Sequence, residues 1–286
     1  MTHDTYSAAR QAGLHKGRRL LMIYLGYILA IIVFVLPILF LIWSAFRRNV
    51  DVTGSVFSFG QPLTLDNFVE LFQRFKIAYY LRNSFIIAGT STVLGILLGV
   101  PAAYAIVRRQ LAAAGFITLL ARMAPGIIFL IPLFQFAVNI GAMRNVVLNF
   151  MMLIAAHLIV TLPLSIWLMI PFFEEVPVAL EESAMIDGCS PLRRLVAVML
   201  PLVAPGVAVA ILISFIFSWN YFLFALALGT SNTMPLTVIA FNFIGEGSAD
   251  FGGLMAASLI ISLPALVLSL VAQRWLVRGL TGGAVK

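Results

Sequence analysis

Charge is scarce in this chain: Asp, Glu, Lys and Arg make up only 10% of its 286 residues. Soluble domains carry about 25% charged residues, so most of the chain is excluded from facing water. Cysteine is almost absent too. The single residue Cys189 rules out an internal disulfide, and with no histidine near it in sequence it does not suggest a catalytic thiol. Only three histidines occur. The pairs Gly89-Thr90-Ser91 and Gly229-Thr230-Ser231 both lack the following glycine of a hydrolase nucleophile turn, which argues against a serine enzyme. No G-x-x-x-x-G-K-[ST] loop is present, and its nearest approach, Gly89 to Gly95, has no lysine. The chain is therefore not expected to hydrolyse ATP, and no metal site or catalytic residue is expected.

What the chain has is apolar length. It is 62% hydrophobic with a mean hydropathy of +1.06. A hydrocarbon core about 30 Å thick needs roughly 20 apolar helical residues to cross it. Six runs qualify: residues 20–46, 84–107, 115–140, 146–173, 203–228 and 252–272. They are far longer than a barrel strand of about ten residues, and helices satisfy every backbone group within the segment. The expected fold class is therefore all-α: a polytopic membrane protein of six spans. A cytoplasmic segment of residues 1–19 precedes one transmembrane domain of residues 20–286. The first run is longer than a signal-peptide core of roughly 7–15 residues, so it reads as a retained span. No Asp or Glu lies inside any of the six runs, which counts against an autonomous, ion-coupled secondary transporter.

The net charge of +7 does not point to nucleic acid, because the basic residues flank the runs. With the N-terminus inside, Arg10, Lys16, Arg18, Arg19, Arg108, Arg109, Arg193, Arg194, Arg274, Arg278 and Lys286 fall on the inner side. The outer side holds Arg47, Arg48, Arg74, Lys76, Arg82 and Arg144, and Arg122 lies within a run. The eleven-to-six bias predicts both termini in the cytoplasm. In the first outer loop, where Asp51, Asp66 and Glu70 partly balance the charge, Leu65, Phe68, Phe72 and Phe75 recur at helical spacing. They predict a short amphipathic helix with Thr64 as N-cap, lying on the bundle or the membrane, or meeting an external partner.

The inner loop of residues 174–202 carries the functional signal. Pro177 suits the start of a helix, Glu181 and Glu182 lie near its positive end, and Gly188 can take the left-handed conformation that stops it. Ser190 and Pro191 then open a second helix, with Arg193 and Arg194 behind them, and Pro201 and Pro205 are expected to bend the chain into the fifth span. Leu180, Ala184 and Met185 give the first helix an apolar face. A compact acidic helix of this kind fits a partner's groove and can be held by the partner's basic residues. Two adjacent glutamates are poorly suited to lying on a negatively charged inner leaflet.

The stretch Glu182-Ser183-Ala184-Met185-Ile186-Asp187-Gly188, followed by Leu200-Pro201 and Pro205-Gly206, resembles the "EAA" loop of ABC importer permeases, with Ser183 and Cys189 standing where the family pattern has alanine. The likeness covers nearly the whole chain. Thr64 to Phe68, Asn83-Ser84, Ser218-Trp219-Asn220 and the tail from Gly279 to Lys286 are similar to the maltose-G-type permeases of carbohydrate importers. The resemblance implies a coupling helix, with Glu181, Glu182, Ala184, Asp187 and Gly188 engaging an ATPase. It also implies a second permease subunit, two ATPase subunits that bind ATP and Mg, an external solute-binding protein and a sugar substrate. Another small polar solute is the alternative cargo. No cofactor is expected on this chain and no nucleic-acid partner.

Several residues have two readings. Arg122, followed by Pro125 and Gly126, either snorkels from a shifted third span or lines the pathway. His157 reads as a hydrogen-bonding group of the bundle ahead of a proton relay. Ser218, Trp219, Asn220 and Tyr221 group hydroxyl, amide and aromatic surfaces suited to sugar, and an interhelical bond is equally natural for Asn220.

Overall fold

The computed structural model describes residues 3–48, 52, 62–244 and 250–282, with side chains from Arg19 to Val271 and at Gln273 among these. Asp51, the end of the tail with Lys286, and the side chains of Arg10, Lys16, Arg18, Arg274 and Arg278 lie outside what is described.

The apolar runs are helices. In chain order α1 is His3–Ala45, α2 Asp66–Arg74, α3 Ile77–Arg108, α4 Ala112–Met123, α5 Ile127–Asn139, α6 Val146–Glu174 and α7 Val178–Ile186. Next come α8, Pro191–Asn220, with a π turn at Arg194–Met199, then α9, Phe222–Leu228, a 3₁₀ segment Leu236–Phe243, and α10, Phe251–Gly282. Five stretches are long and apolar enough to cross a membrane alone, within α1, α3, α6, α8 and α10.

The remaining crossing, third in chain order, is broken. Pro125 disfavours helical backbone at Ala124, which takes φ −63°, ψ 124°, so α4 stops at Met123. The pair α4 and α5 bends by 86°. That pair still traverses the bundle. Thr161 donates to the Ser91 carbonyl at 3.2 Å and Ser165 to the Gly95 carbonyl at 2.7 Å, so α3 and α6 run parallel. The chain between their equivalent ends must therefore return across the full thickness.

A seam of small residues holds α3 to α6. Ser91, Gly95 and Gly99 recur every four residues and face Thr161 and Ser165. A Cβ at Gly99 would overlap Ser165 Oγ, and one at Gly95 would stand 3.1 Å from Thr161 Oγ1. Close backbone approach with cross-helix hydroxyl bonds suits lipid, where apolar side chains gain little by meeting each other. Antiparallel to this pair, α8 packs on both; α10 packs on α8, and α1 chiefly on α10. The outer faces stay apolar: Phe34 of α1 is 75% exposed and Ile131 of α5 is 70% exposed.

Three local expectations are corrected. Leu65, not Thr64, occupies the N-cap of α2, while the Thr64 hydroxyl accepts the Asp66 N–H at 3.1 Å. The packed face of α2 is Phe68, Leu71 and Phe75, with Leu65 and Phe72 exposed, because α2 docks on the bundle through Asn67, which donates to the Ala45 and Arg47 carbonyls. The fifth span is not one helix over residues 203–228. It starts at Pro191, carries Pro201 and Pro205 inside it, and breaks at Tyr221, φ −83°, ψ 80°. The irregularity lies before Pro201, where Leu200 N–H bonds Leu195 O in an i→i−5 turn.

Candidate functional site

Between α6 and α8 the chain leaves the bundle as α7. Pro177, with ψ 131°, is its N-cap rather than its first helical residue. At its other end Gly188 takes φ +76°, Gly188 N–H bonds Met185 O at 3.0 Å and Cys189 N–H bonds Ala184 O at 3.0 Å. This pair of bonds is a Schellman stop, which a side chain at residue 188 would strain. Ser190 caps the next helix, its hydroxyl accepting Arg193 N–H at 3.4 Å, with Pro191 in the first turn. Cys189, a free thiol, is partly buried in this turn.

The face that α7 presents differs from the expected one. Glu182, Met185, Ile186, Asp187 and Gly188 are exposed, Ile186 at 87%, and Leu192 beyond the turn is 71% exposed. Glu181 and Ala184 turn inward, each 7% exposed. The outward surface is thus an apolar patch rimmed by Glu182 and Asp187, and neither Glu181 nor Ala184 is available to a partner.

Glu181 faces inward because cations meet it there. Arg108 Nε, at the end of α3, donates to Glu181 Oε2 at 2.8 Å, and Arg108 also donates to the Val176 carbonyl at 2.9 Å. The Tyr104 hydroxyl donates to Glu181 Oε1. Arg194, in the π turn of α8, brings its Nε to 3.9 Å from Oε1 without a hydrogen bond. One carboxylate thus joins three helices. Sequence alone marks Arg108 and Arg194 as inner-side charges and does not bring them to Glu181. The available signal was the i, i+4 spacing of Tyr104 and Arg108, which puts both on one helix face.

At the bend between α4 and α5, Arg122, itself exposed, and Tyr221 line one cavity of about 190 Å³ with Gly126, Leu164 and Phe217. A Cβ at Gly126 would overlap the Tyr221 hydroxyl, so this glycine makes room for the ring. The Arg122 guanidinium lies 4.1 Å over the Trp167 ring. Both ion pairs found among the described residues involve Glu181, so Arg122 meets no carboxylate there.

Of the four residues grouped in span five, only Tyr221 reaches this cavity. Ser218 pairs its hydroxyl with Ser91 at 2.8 Å, and Trp219, 2% exposed, donates Nε1–H to the Ile261 carbonyl at 3.0 Å. Both hold helices together. Asn220 is exposed and bonds its amide to Ile216 O of its own helix. The two ring nitrogens of His157 face Leu153 O at 2.7 Å and Tyr221 O at 3.2 Å, so the ring braces α6 against the break after α8.

Six apolar crossings, an acidic helix set between two of them and a cavity at the bend of the third crossing describe a polytopic membrane protein. Residues 93–282 match the family described as "Binding-protein-dependent transport system inner membrane component". The chain belongs to this family of ABC importer permeases, which are inner-membrane components. It is 32% identical over 282 residues to the "Trehalose/maltose transport system permease protein MalG" of Thermococcus litoralis, covering 94% of this chain and 97% of that one. It is 34% identical over 230 residues to the "Trehalose transport system permease protein SugB" of Mycobacterium tuberculosis, covering 78% and 82%. Its fold matches a chain in the crystal structure of a bacterial ABC transporter involved in the import of the acidic polysaccharide alginate. That match has TM-score 0.70 and 20% identity, over 90% of this chain and 97% of the other.

Proposed function

We propose that this chain is one of two permease subunits in an ATP-driven importer for a sugar or sugar derivative, with both termini in the cytoplasm. A binding protein delivers the solute, and two separate ATPase subunits, which hold ATP and Mg, engage the chain through α7. The observation that carries this reading is the outward face of α7: an almost fully exposed Ile186 rimmed by Glu182 and Asp187, beside a groove of about 440 Å³ between α3, α7 and α8. A bare isoleucine flanked by acids suits a partner's apolar cleft edged with basic groups. Glu182, Asp187 and Gly188 are the docking residues in this reading, and Glu181 and Ala184 support them from behind. The names of the trehalose and maltose relatives support a sugar cargo. Arg122 and Tyr221 are the pathway residues, since both line the cavity at the bend of the third crossing and an ionisable group within an apolar run points to function by default.

The test is co-purification. A tagged copy should bring down a second membrane subunit and an ATPase. Ile186→Asp combined with Glu182→Lys should release the ATPase while the chain stays inserted and paired with the second permease. An ATPase that remains bound to this variant, with normal uptake, refutes docking through α7.

A further inference from the structure

We infer that Glu181 is a positioning residue that makes α7 and the lower end of α3 move as one body, so that displacement of the coupling helix reaches the second span. This rests on the proposed docking role of α7. Chain connectivity joins α7 only to α6 and α8. Nothing in the covalent structure ties it to α3, whose cytoplasmic end is remote in sequence. The link is the Glu181 carboxylate. Arg108 grips it at 2.8 Å and holds the Val176 carbonyl at 2.9 Å with the same guanidinium, so one α3 side chain clasps both the first turn of α7 and the residue leading into it. Tyr104, one turn earlier on α3, donates to the other carboxylate oxygen.

α7 also packs on the π turn of α8, but little else fastens it to α3. Within the helix only Glu181 and Ala184 are buried, and a methyl group offers slight grip. The clasp is also shielded, with the Arg108 and Glu181 side chains 13% and 9% exposed, so water and salt screen it weakly. Arg194 stands 3.9 Å from the same carboxylate on a π turn, an irregularity that often sits at functional places in helices. The charges therefore gather on one acid from both sides of α7, and removing that acid leaves two arginines facing each other.

The experiment uses the whole importer in proteoliposomes, with both permeases, the ATPase subunits and the binding protein. It reads solute imported per ATP hydrolysed. In Glu181→Gln and in Arg108→Gln the ATPase should stay bound and hydrolysis continue, while imported solute per ATP falls about tenfold, within the usual span of coupling between distant sites. In a Cys189→Ser background, Glu181→Cys and Arg108→Cys joined by a short bismaleimide should regain the coupling. Tyr104→Phe keeps the ring and drops one bond, so it should assemble even if the charge variants do not, with a smaller fall in the same ratio. An unchanged ratio in the assembled variants overturns the clasp. Release of the ATPase by Glu181→Gln overturns it in favour of direct docking by Glu181. If the unaltered chain brings down no ATPase, the proposed function itself fails, a separate result.

Discussion

Gly99→Ala probes the seam that lets α3 and α6 act as a unit. The new Cβ would overlap Ser165 Oγ and stand 3.1 Å from Ser165 Cβ and 3.3 Å from Ile166 N. Ser165 can turn its hydroxyl away only by giving up its bond to the Gly95 carbonyl, 2.7 Å long. Interhelical hydrogen bonds in lipid average about 0.6 kcal/mol, and overpacking a tight contact typically costs about 1–3 kcal/mol. Against these, alanine favours a helix over glycine by about 1 kcal/mol. The clash should win, leaving Gly99→Ala destabilised by about 0.6–2.6 kcal/mol. Ser165→Ala alone loses only the bond. Gly99→Ala with Ser165→Gly removes both clashing atoms, leaves the 3.3 Å approach to Ile166 N, and should recover at least half of the loss. Reversible unfolding of the detergent-solubilised chain, followed by tryptophan fluorescence, measures all four. If Gly99→Ala is as stable as the unaltered chain, propensity has won and the helices are not in close backbone contact.

Two further outcomes separate the pathway residues from their neighbours. Arg122→Gln should cut solute uptake by about tenfold or more, as expected when a charge-assisted hydrogen bond is lost, without releasing the ATPase; uptake at the unaltered rate would return Arg122 to a boundary role. Trp219→Phe should lower stability by about 1 kcal/mol through loss of the Nε1–H bond to the Ile261 carbonyl, with solute competition unchanged, and a shifted competition profile would make Trp219 a pathway residue.

The local signals were legible wherever one residue type dictates its own backbone. Gly188 stops α7 in the left-handed conformation, Ser190 and Pro191 open α8, and Pro125 ends α4, all as their chemistry requires. The break at Tyr221 was not legible, because no glycine or proline marks it and its brace is His157, 64 residues away. Ser218 and Trp219 looked like sugar ligands by type, yet their partners Ser91 and Ile261 lie on other helices. Gly95 and Gly99 gave no local signal, because their use depends on the hydroxyls of α6.

Composition and run length alone determined that this chain is a bundle of apolar crossings, because runs too long for barrel strands can satisfy their backbone groups in lipid only as helices. The acidic turn with its glycine and serine stops was likewise written in consecutive residues. Which glutamate faces out and which faces in belongs to the tertiary structure. Glu181 and Glu182 are adjacent and chemically alike, and only the arrival of Arg108 from α3 turns one of them into the bundle. Pairing of charges brought together from distant parts of a chain is a property of the packed helices, and no local pattern encodes it.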